Sequence, residues 1–182
     1  MKREEALEMC RELSDTFQRL DEAAFSLLID ELMAARRIFV AGAGRTGLLM
    51  QSLAMVLTQL GLSAEVVGSP TARSIRPGDL LLVGSSSGST KTIQLYAGIA
   101  AEAGARIALI TSRADSPVGR LACCTLVLRS ASDSGSTERS VNLMGAGFLQ
   151  ALNLVVDLVA SSVLARTGGT EEQMLDIHAN LE

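Results

Sequence analysis

Residues 84–90, Gly-Ser-Ser-Ser-Gly-Ser-Thr, carry five hydroxyl side chains in seven positions. The stretch follows the apolar run Leu80-Leu81-Leu82-Val83 and precedes a segment with helical spacing. A loop at such a junction offers free backbone N–H groups and the positive end of a helix dipole. Hydroxyls add neutral donors that can wrap phosphate oxygens, and Gly88 lets backbone approach a ligand closely. Ser85, Ser86, Ser87, Ser89 and Thr90 are therefore candidate phosphate contacts. Helix capping by one serine, at position 87 or 89, accounts for one hydroxyl and not for five.

A second loop, Gly42-Ala43-Gly44-Arg45-Thr46-Gly47, follows the apolar run from Ile38 to Ala41. Taken literally it is the GxGxxG fingerprint of dinucleotide binding. That reading also wants an acidic residue at the end of the second strand, to hold the ribose hydroxyls. Here the second run ends Val66-Val67-Gly68, and Glu65 lies inside it. The spacing favours a small phosphate over a nicotinamide cofactor, and no cofactor is expected. Gly44, Arg45 and Thr46 join the candidate binding residues.

Proton transfer has one obvious candidate, His178, the chain's single histidine. An imidazole titrates near neutrality and suits proton movement on carbon or oxygen; equally, an exposed histidine on a frayed last helix is common. With one His and no Cys/His ligand spacing, no metal site is expected.

These residues need a scaffold. Short apolar runs recur at 38–41, 64–67, 80–83, 107–110 and 125–128, with helical segments near 46–60, 90–103 and 117–122 between them. Continuous apolar strands alternating with helices predict an α/β fold: a doubly wound five-stranded parallel sheet with helices on both faces. Residues 1–182 read as a single domain. Its N-terminal helices span 3–35 with a break near Asp21, and its α/β core spans 37–129. A long C-terminal helix covers about 138–166, and a tail helix covers 170–182 with a capping box at Thr170-Glu-Glu-Gln173. The segment 130–137 (SASDSGST) reads as a mobile loop.

Composition narrows the function. The net charge is −4 and aromatics are 3% of residues, with no Trp. No basic stripe is evident and stacking platforms are scarce, so nucleic acid is not an expected partner. The N-terminus, MKREEALEMC, is too charged for a signal peptide. Three cysteines, two of them adjacent at 123 and 124, suggest no disulfide framework and fit a cytoplasmic protein. The segment 141–165 is long enough to span a membrane. But Asn142, Gln150, Asn153, Asp157 and Ser161 fall roughly on one helical stripe, which predicts a core helix with one polar edge. The same apolar segment predicts burial against another subunit, in a dimer or tetramer.

Taken together, Gly42-Ala-Gly-Arg-Thr-Gly47, the Ser-rich loop, Ile110-Thr-Ser112, Asp115-Ser-Pro-Val-Gly-Arg-Leu-Ala122 and the terminal His178-Ala-Asn-Leu-Glu182 resemble the sugar isomerase (SIS) fold, and within it the 6-phospho-3-hexuloisomerase family. The resemblance covers nearly the whole chain. It implies a flavodoxin-like sheet and a tetramer with sites between subunits. It also implies reversible isomerisation between a 3-hexulose 6-phosphate and fructose 6-phosphate. Phosphate would then sit in the Ser-rich loop on Ser85, Ser87 and Thr90, with Arg45 and Thr46 flanking the sugar.

The sequence departs from the family pattern in two motifs. Where the family usually reads SGSGET, Ser86 replaces a Gly and Ser89 replaces a Glu. Where it usually reads MGTLFE, Leu149 replaces the Glu favoured as catalytic base. A Leu cannot take a proton, so the base must lie elsewhere. Glu138 is the nearest carboxylate in sequence, but it precedes Leu149 by about three helical turns, on the order of 16 Å; it reads better as a first-turn helix acid than as a direct replacement. The alternative function is a sugar-phosphate sensor that keeps the anchor and has lost the base.

Overall fold

The structure, a computed structural model, describes residues 2–129, 142, 145–178 and 180. Glu138 and the 130–137 segment lie outside the described residues.

The chain opens with helices α1 (Lys2–Gln18) and α2 (Glu22–Ala34). The expected break falls at Asp21, whose carboxylate accepts the backbone N–H groups of Ala23 and Ala24, each at 3.0 Å. That bond pair caps α2 and satisfies two of its orphan donors. Strand β1 (Ile38–Gly42), helix α3 (Gly44–Gln59), strand β2 (Ala64–Val66), strand β3 (Leu80–Gly84), helix α4 (Lys91–Glu102), strand β4 (Arg106–Thr111) and strand β5 (Cys124–Val127) follow. Helices α5 (Ala146–Thr167) and α6 (Glu171–Ile177) close the described chain.

The five strands form one sheet in the order β2-β1-β3-β4-β5, and every neighbouring pair is parallel. Both faces are covered, which is why the strands read as unbroken apolar runs. Ile38, Val40, Leu80, Leu82 and Ile110 point into a core with α2, α3 and α5, where Leu28, Leu53, Phe148 and Val155 are buried. The intervening Phe39, Ala41, Leu81, Val83 and Leu109 pack against α4 through Ile93, Ala97 and Ala100.

Three boundaries differ from expectation. Residues 117–121 form turns rather than a helix. Gly119 sits so close to Ala114 that a β-carbon there would lie 2.1 Å from the Ala114 carbonyl oxygen, a fold-back that regular helix does not make. The long helix begins at Ala146, not near 138, because Gly145 turns the chain with φ +74°. The tail helix ends at Ile177, with His178 as its extended C-cap. Its capping box is formed as expected, the Thr170 hydroxyl accepting from the Gln173 N–H while the Gln173 side chain accepts from the Thr170 N–H.

Helix α5 passes the length and composition test for a membrane span. Phe148, Ala151, Leu152, Val155, Val159 and Val163 nevertheless bury one of its faces in the core. Asn153, Asp157 and Ser161 are exposed on the other, so α5 is a core helix with a wet edge. Asn142, ahead of it, is buried and donates to the Glu12 carboxylate at 2.7 Å, tying this segment to α1. Cys124 is buried at the start of β5, where burial pushes its thiol up to about 11. Cys123, beside it, is exposed.

Candidate functional site

In a sheet ordered 2-1-3-4-5, ligands bind beyond the carboxyl ends of the strands where the strand order reverses, between β1 and β3. Both candidate loops leave the sheet at that point. Gly42 and Gly84, the last residues of β1 and β3, are register partners, so the loops start side by side at one level.

Close packing demands glycine on both sides of the β1–α3 loop and at the end of β3. A β-carbon on Gly47 would lie 2.8 Å from the Gly42 carbonyl oxygen, and one on Gly84 would lie 2.6 Å from the Met50 sulfur. These close approaches press α3 onto the ends of β1 and β3. Gly42 and Gly47 of the GxGxxG spacing thus serve helix–strand packing.

Ala43, Thr46, Gly84, Ser85, Ser86, Ser87 and Thr90 together line a concave cradle of about 210 Å³. Thr46, Ser85, Ser86, Ser87 and Thr90 were expected in one site, and the fold brings them together. Thr90 is the N-cap residue of α4, yet its side chain makes no capping hydrogen bond. The hydroxyl is not consumed by capping, and the first-turn N–H groups of α4 receive no acceptor from it. That arrangement suits an anion at the helix start. Ser89 differs from expectation. It does not line the cradle; its hydroxyl donates to Ser87 Oγ at 3.0 Å and orients that residue.

The cradle is braced by a third segment whose role the sequence did not reveal. The buried Thr111 hydroxyl donates to the Ser86 carbonyl at 3.0 Å. The Ser112 N–H donates to the same carbonyl at 3.0 Å, and Ser86 and Ser112 share a hydroxyl contact at 3.2 Å. The Ser85 N–H bonds the Ile110 carbonyl at 3.0 Å, and the Val118 N–H bonds the Gly88 carbonyl at 3.2 Å. Within the loop, Ser85 Oγ accepts the Gly88 N–H at 3.2 Å. The motif Ile110-Thr-Ser112 was visible in the sequence, but nothing local tied it to a loop some twenty-five residues earlier.

Arg45 and Gly44 do not line the cradle. Gly44 opens α3 with φ +58°. Arg45 points to the other side of the loop, into a groove of about 490 Å³ shared with Leu13, Leu48, Leu49, Leu149, Gln150, Asn153 and Leu154. The guanidinium has no hydrogen bond or ion pair among the described residues. Among the described residues no carboxylate lines this groove, and Leu149 occupies its α5 side. Exposed Leu48 and Met55 on α3, with Leu154 and Leu158 on α5, extend an apolar surface around it. His178 is exposed at the end of α6 and lines neither cavity; within one chain it is not brought to the cradle.

A SIS domain model matches residues 31–152 of the chain. The 3-hexulose-6-phosphate isomerase of Mycobacterium gastri is 39% identical over 94% of this chain and 86% of its own length. The protein of the same name from Bacillus subtilis is 33% identical over 96% of each. A Methanococcus jannaschii protein, whose crystal structure was taken to infer 3-hexulose-6-phosphate isomerase function, superposes with a TM-score of 0.86. It is 27% identical, and the match covers 98% of this chain and 99% of that one.

Proposed function

This chain belongs to the SIS domain family and, within it, to the 3-hexulose-6-phosphate isomerases, and on that premise we propose how it interconverts a 3-hexulose 6-phosphate and fructose 6-phosphate. The observation that carries the reading is the cradle between β1 and β3, with its uncapped helix start and convergent hydroxyls.

The phosphate sits in the cradle, contacted by Thr46, Ser85, Ser86, Ser87 and Thr90, while Ser89 orients Ser87. Anchoring the phosphate orients the sugar, and orientation supplies much of the rate in such a reaction. The two sugars differ in whether the carbonyl is at C3 or C2. Their interconversion removes the C2 proton of the 3-hexulose, forms a 2,3-enediolate and returns a proton to C3. The sugar extends past Thr46 towards Arg45, whose guanidinium is available to pair with the enediolate oxygens.

The proton carrier is His178, supplied by a neighbouring copy of the chain. This assignment rests on its chemistry and on its position at the exposed end of α6. The apolar surface of Leu48, Met55, Leu154 and Leu158 supports a homo-oligomer, dimer or tetramer, that covers the Arg45 groove and brings the tail across. Glu138 stands as a second carrier, from the segment leading to α5. The assembly works in the cytoplasm, in keeping with cysteines that are all free.

Leu149 favours one other reading. With Leu149 on the groove and no carboxylate there among the described residues, the protein would bind sugar phosphates as a sensor without turning them over. Supplying 3-hexulose 6-phosphate and following fructose 6-phosphate by carbon NMR separates the two. Conversion that scales with protein supports the isomerase, and binding without conversion supports the sensor.

A further inference from the structure

The opposite end of the sheet carries a concentration of positive charge that the isomerase chemistry does not use. Arg36 and Arg37 precede β1, Ser63 precedes β2, and Arg73, Ser74 and Arg76 lie on the connection into β3; together they line an open groove of about 600 Å³. Strands of five residues separate it from the cradle by roughly 17 Å at about 3.3 Å per residue.

The groove is organised from below by Asp79, whose side chain is fully buried. One carboxylate oxygen accepts Arg36 Nε at 3.1 Å and Arg37 Nε at 3.2 Å. The other accepts Arg37 Nη2 at 2.8 Å and the Arg76 N–H at 2.9 Å. Burial pushes the Asp79 carboxyl up, but Arg37, the Arg76 N–H and Arg36 together hold it below the usual carboxylate range. Glu65 fixes Arg73 in the same way, through its Nε and its backbone N–H, each at 2.6 Å.

Two carboxylates thus face four guanidiniums, leaving two positive charges in surplus on a chain whose net charge is −4. Pairing within the fold accounts for Arg37, which is only 12% exposed. Arg36 also pairs with Asp79 but is 54% exposed, so part of its fork stays open to a ligand; the exposed Arg76 guanidinium has no partner among the described residues. Guanidinium forks match phosphate oxygens in pairs, and a groove lined by several of them selects a ligand with more than one phosphate.

A second cavity, of about 260 Å³, adjoins the groove and is mostly apolar, with Phe39, Val67, Ala72, Ile75 and Tyr96 in its walls. Arg73 lines both cavities, and the Arg37 guanidinium lies over the Phe39 ring, 5.5 Å from its centre. A polyphosphate grip beside a recess fit for a flat ring is the layout a nucleotide requires. We propose that this end of the sheet is a second ligand site, which binds a nucleoside di- or triphosphate with its phosphates on Arg36, Arg73 and Arg76 and its base in the Phe39–Tyr96 recess. The proposal does not depend on the sugar-phosphate assignment.

Titration calorimetry with ADP tests it, with fructose 6-phosphate present at saturation so that the cradle is occupied. The expected result is one ADP site per chain. Its affinity should fall about tenfold in R76Q, the loss of one charge-assisted hydrogen bond, and further in R73Q/R76Q. It should stay unchanged in T90A, which alters only the cradle. Inorganic pyrophosphate should bind at the same site more weakly than ADP. R76Q removes an exposed, unpartnered guanidinium, so its melting temperature should match the parent's. No ADP binding at millimolar concentration would overturn the proposal. So would ADP binding that survives R73Q/R76Q, or that is lost in T90A. Pyrophosphate binding as tightly as ADP would overturn the nucleotide assignment.

Discussion

Gly88 faces Ser116 so closely that a β-carbon at position 88 would lie 2.2 Å from the Ser116 hydroxyl oxygen and 2.6 Å from its Cβ. Gly88 also holds φ +59°. The two residues interlock the Ser-rich loop with the turn after β4, and the shape of the cradle depends on that contact.

Gly88→Ala should therefore damage the cradle twice, through a left-handed backbone costing roughly 1–2 kcal/mol and through the clash with Ser116. Sugar-phosphate binding should weaken more than tenfold in titration calorimetry. Adding Ser116→Gly should recover part of that loss, because it removes the clash and leaves the backbone cost. A single Gly88→Ala variant with unchanged affinity would contradict the interlock.

Thr90→Ala separates capping from ligand contact. The Thr90 side chain makes no capping bond, so the melting temperature should hold within about one degree, with no N-cap hydrogen bond to lose. Affinity for fructose 6-phosphate should fall by roughly 0.5–2 kcal/mol, the range for one hydrogen bond. A drop in stability with unchanged affinity would assign the hydroxyl to the helix instead.

Leu149→Glu places a carboxylate on the groove that Arg45 also lines. If the family's usual base position is the effective one, kcat should rise by about tenfold or more, since a positioned base is worth 10²–10⁴. Stability should fall by about 1 kcal/mol, because an apolar wall gains a charge. A drop in kcat on steady-state measurement would mean that the Leu149 side chain is needed as it is.

Asp79→Asn should show its effect through pH. The folded-state carboxyl lies below its usual range, so its stabilisation is present above the unfolded value of about 4 and fades as pH falls through the lower folded value. Urea melts at pH 7 should find the variant less stable by roughly 1.5–3 kcal/mol, the scale of hydrogen bonds to a charged group. The gap between the two proteins should narrow below about pH 4. A gap constant from pH 7 to pH 3 would contradict the ionised pairing.

Much of this architecture was legible in the sequence because its signals are local. Leu80-Leu81-Leu82-Val83 reads as a strand covered on both faces, Asp21 as a helix start, and Gly84 to Thr90 as a loop of donors. What was not legible depends on distant chain segments meeting. Thr111 supports Ser86 across the sheet end. Gly119 folds the 117–121 segment back over Ala114 and makes turns of a stretch that looks helical. Arg36, Arg37, Arg73 and Arg76 show no basic stripe in sequence, yet the parallel strands gather their starting ends into one groove.

On the proposed reading, this chain isomerises a ketose phosphate anchored in the Ser-rich cradle. Proton NMR of fructose 6-phosphate in deuterated buffer tests it most directly, with His178→Ala and Thr90→Ala run alongside. Protein-dependent deuterium uptake is expected at C3, the carbon that loses its proton on the way to the 2,3-enediolate. Uptake should be slowed about 10²-fold or more in His178→Ala, and should need higher sugar concentration in Thr90→Ala. Fructose 6-phosphate that binds but keeps its C3 proton would rule out the isomerase and leave a sugar-phosphate sensor.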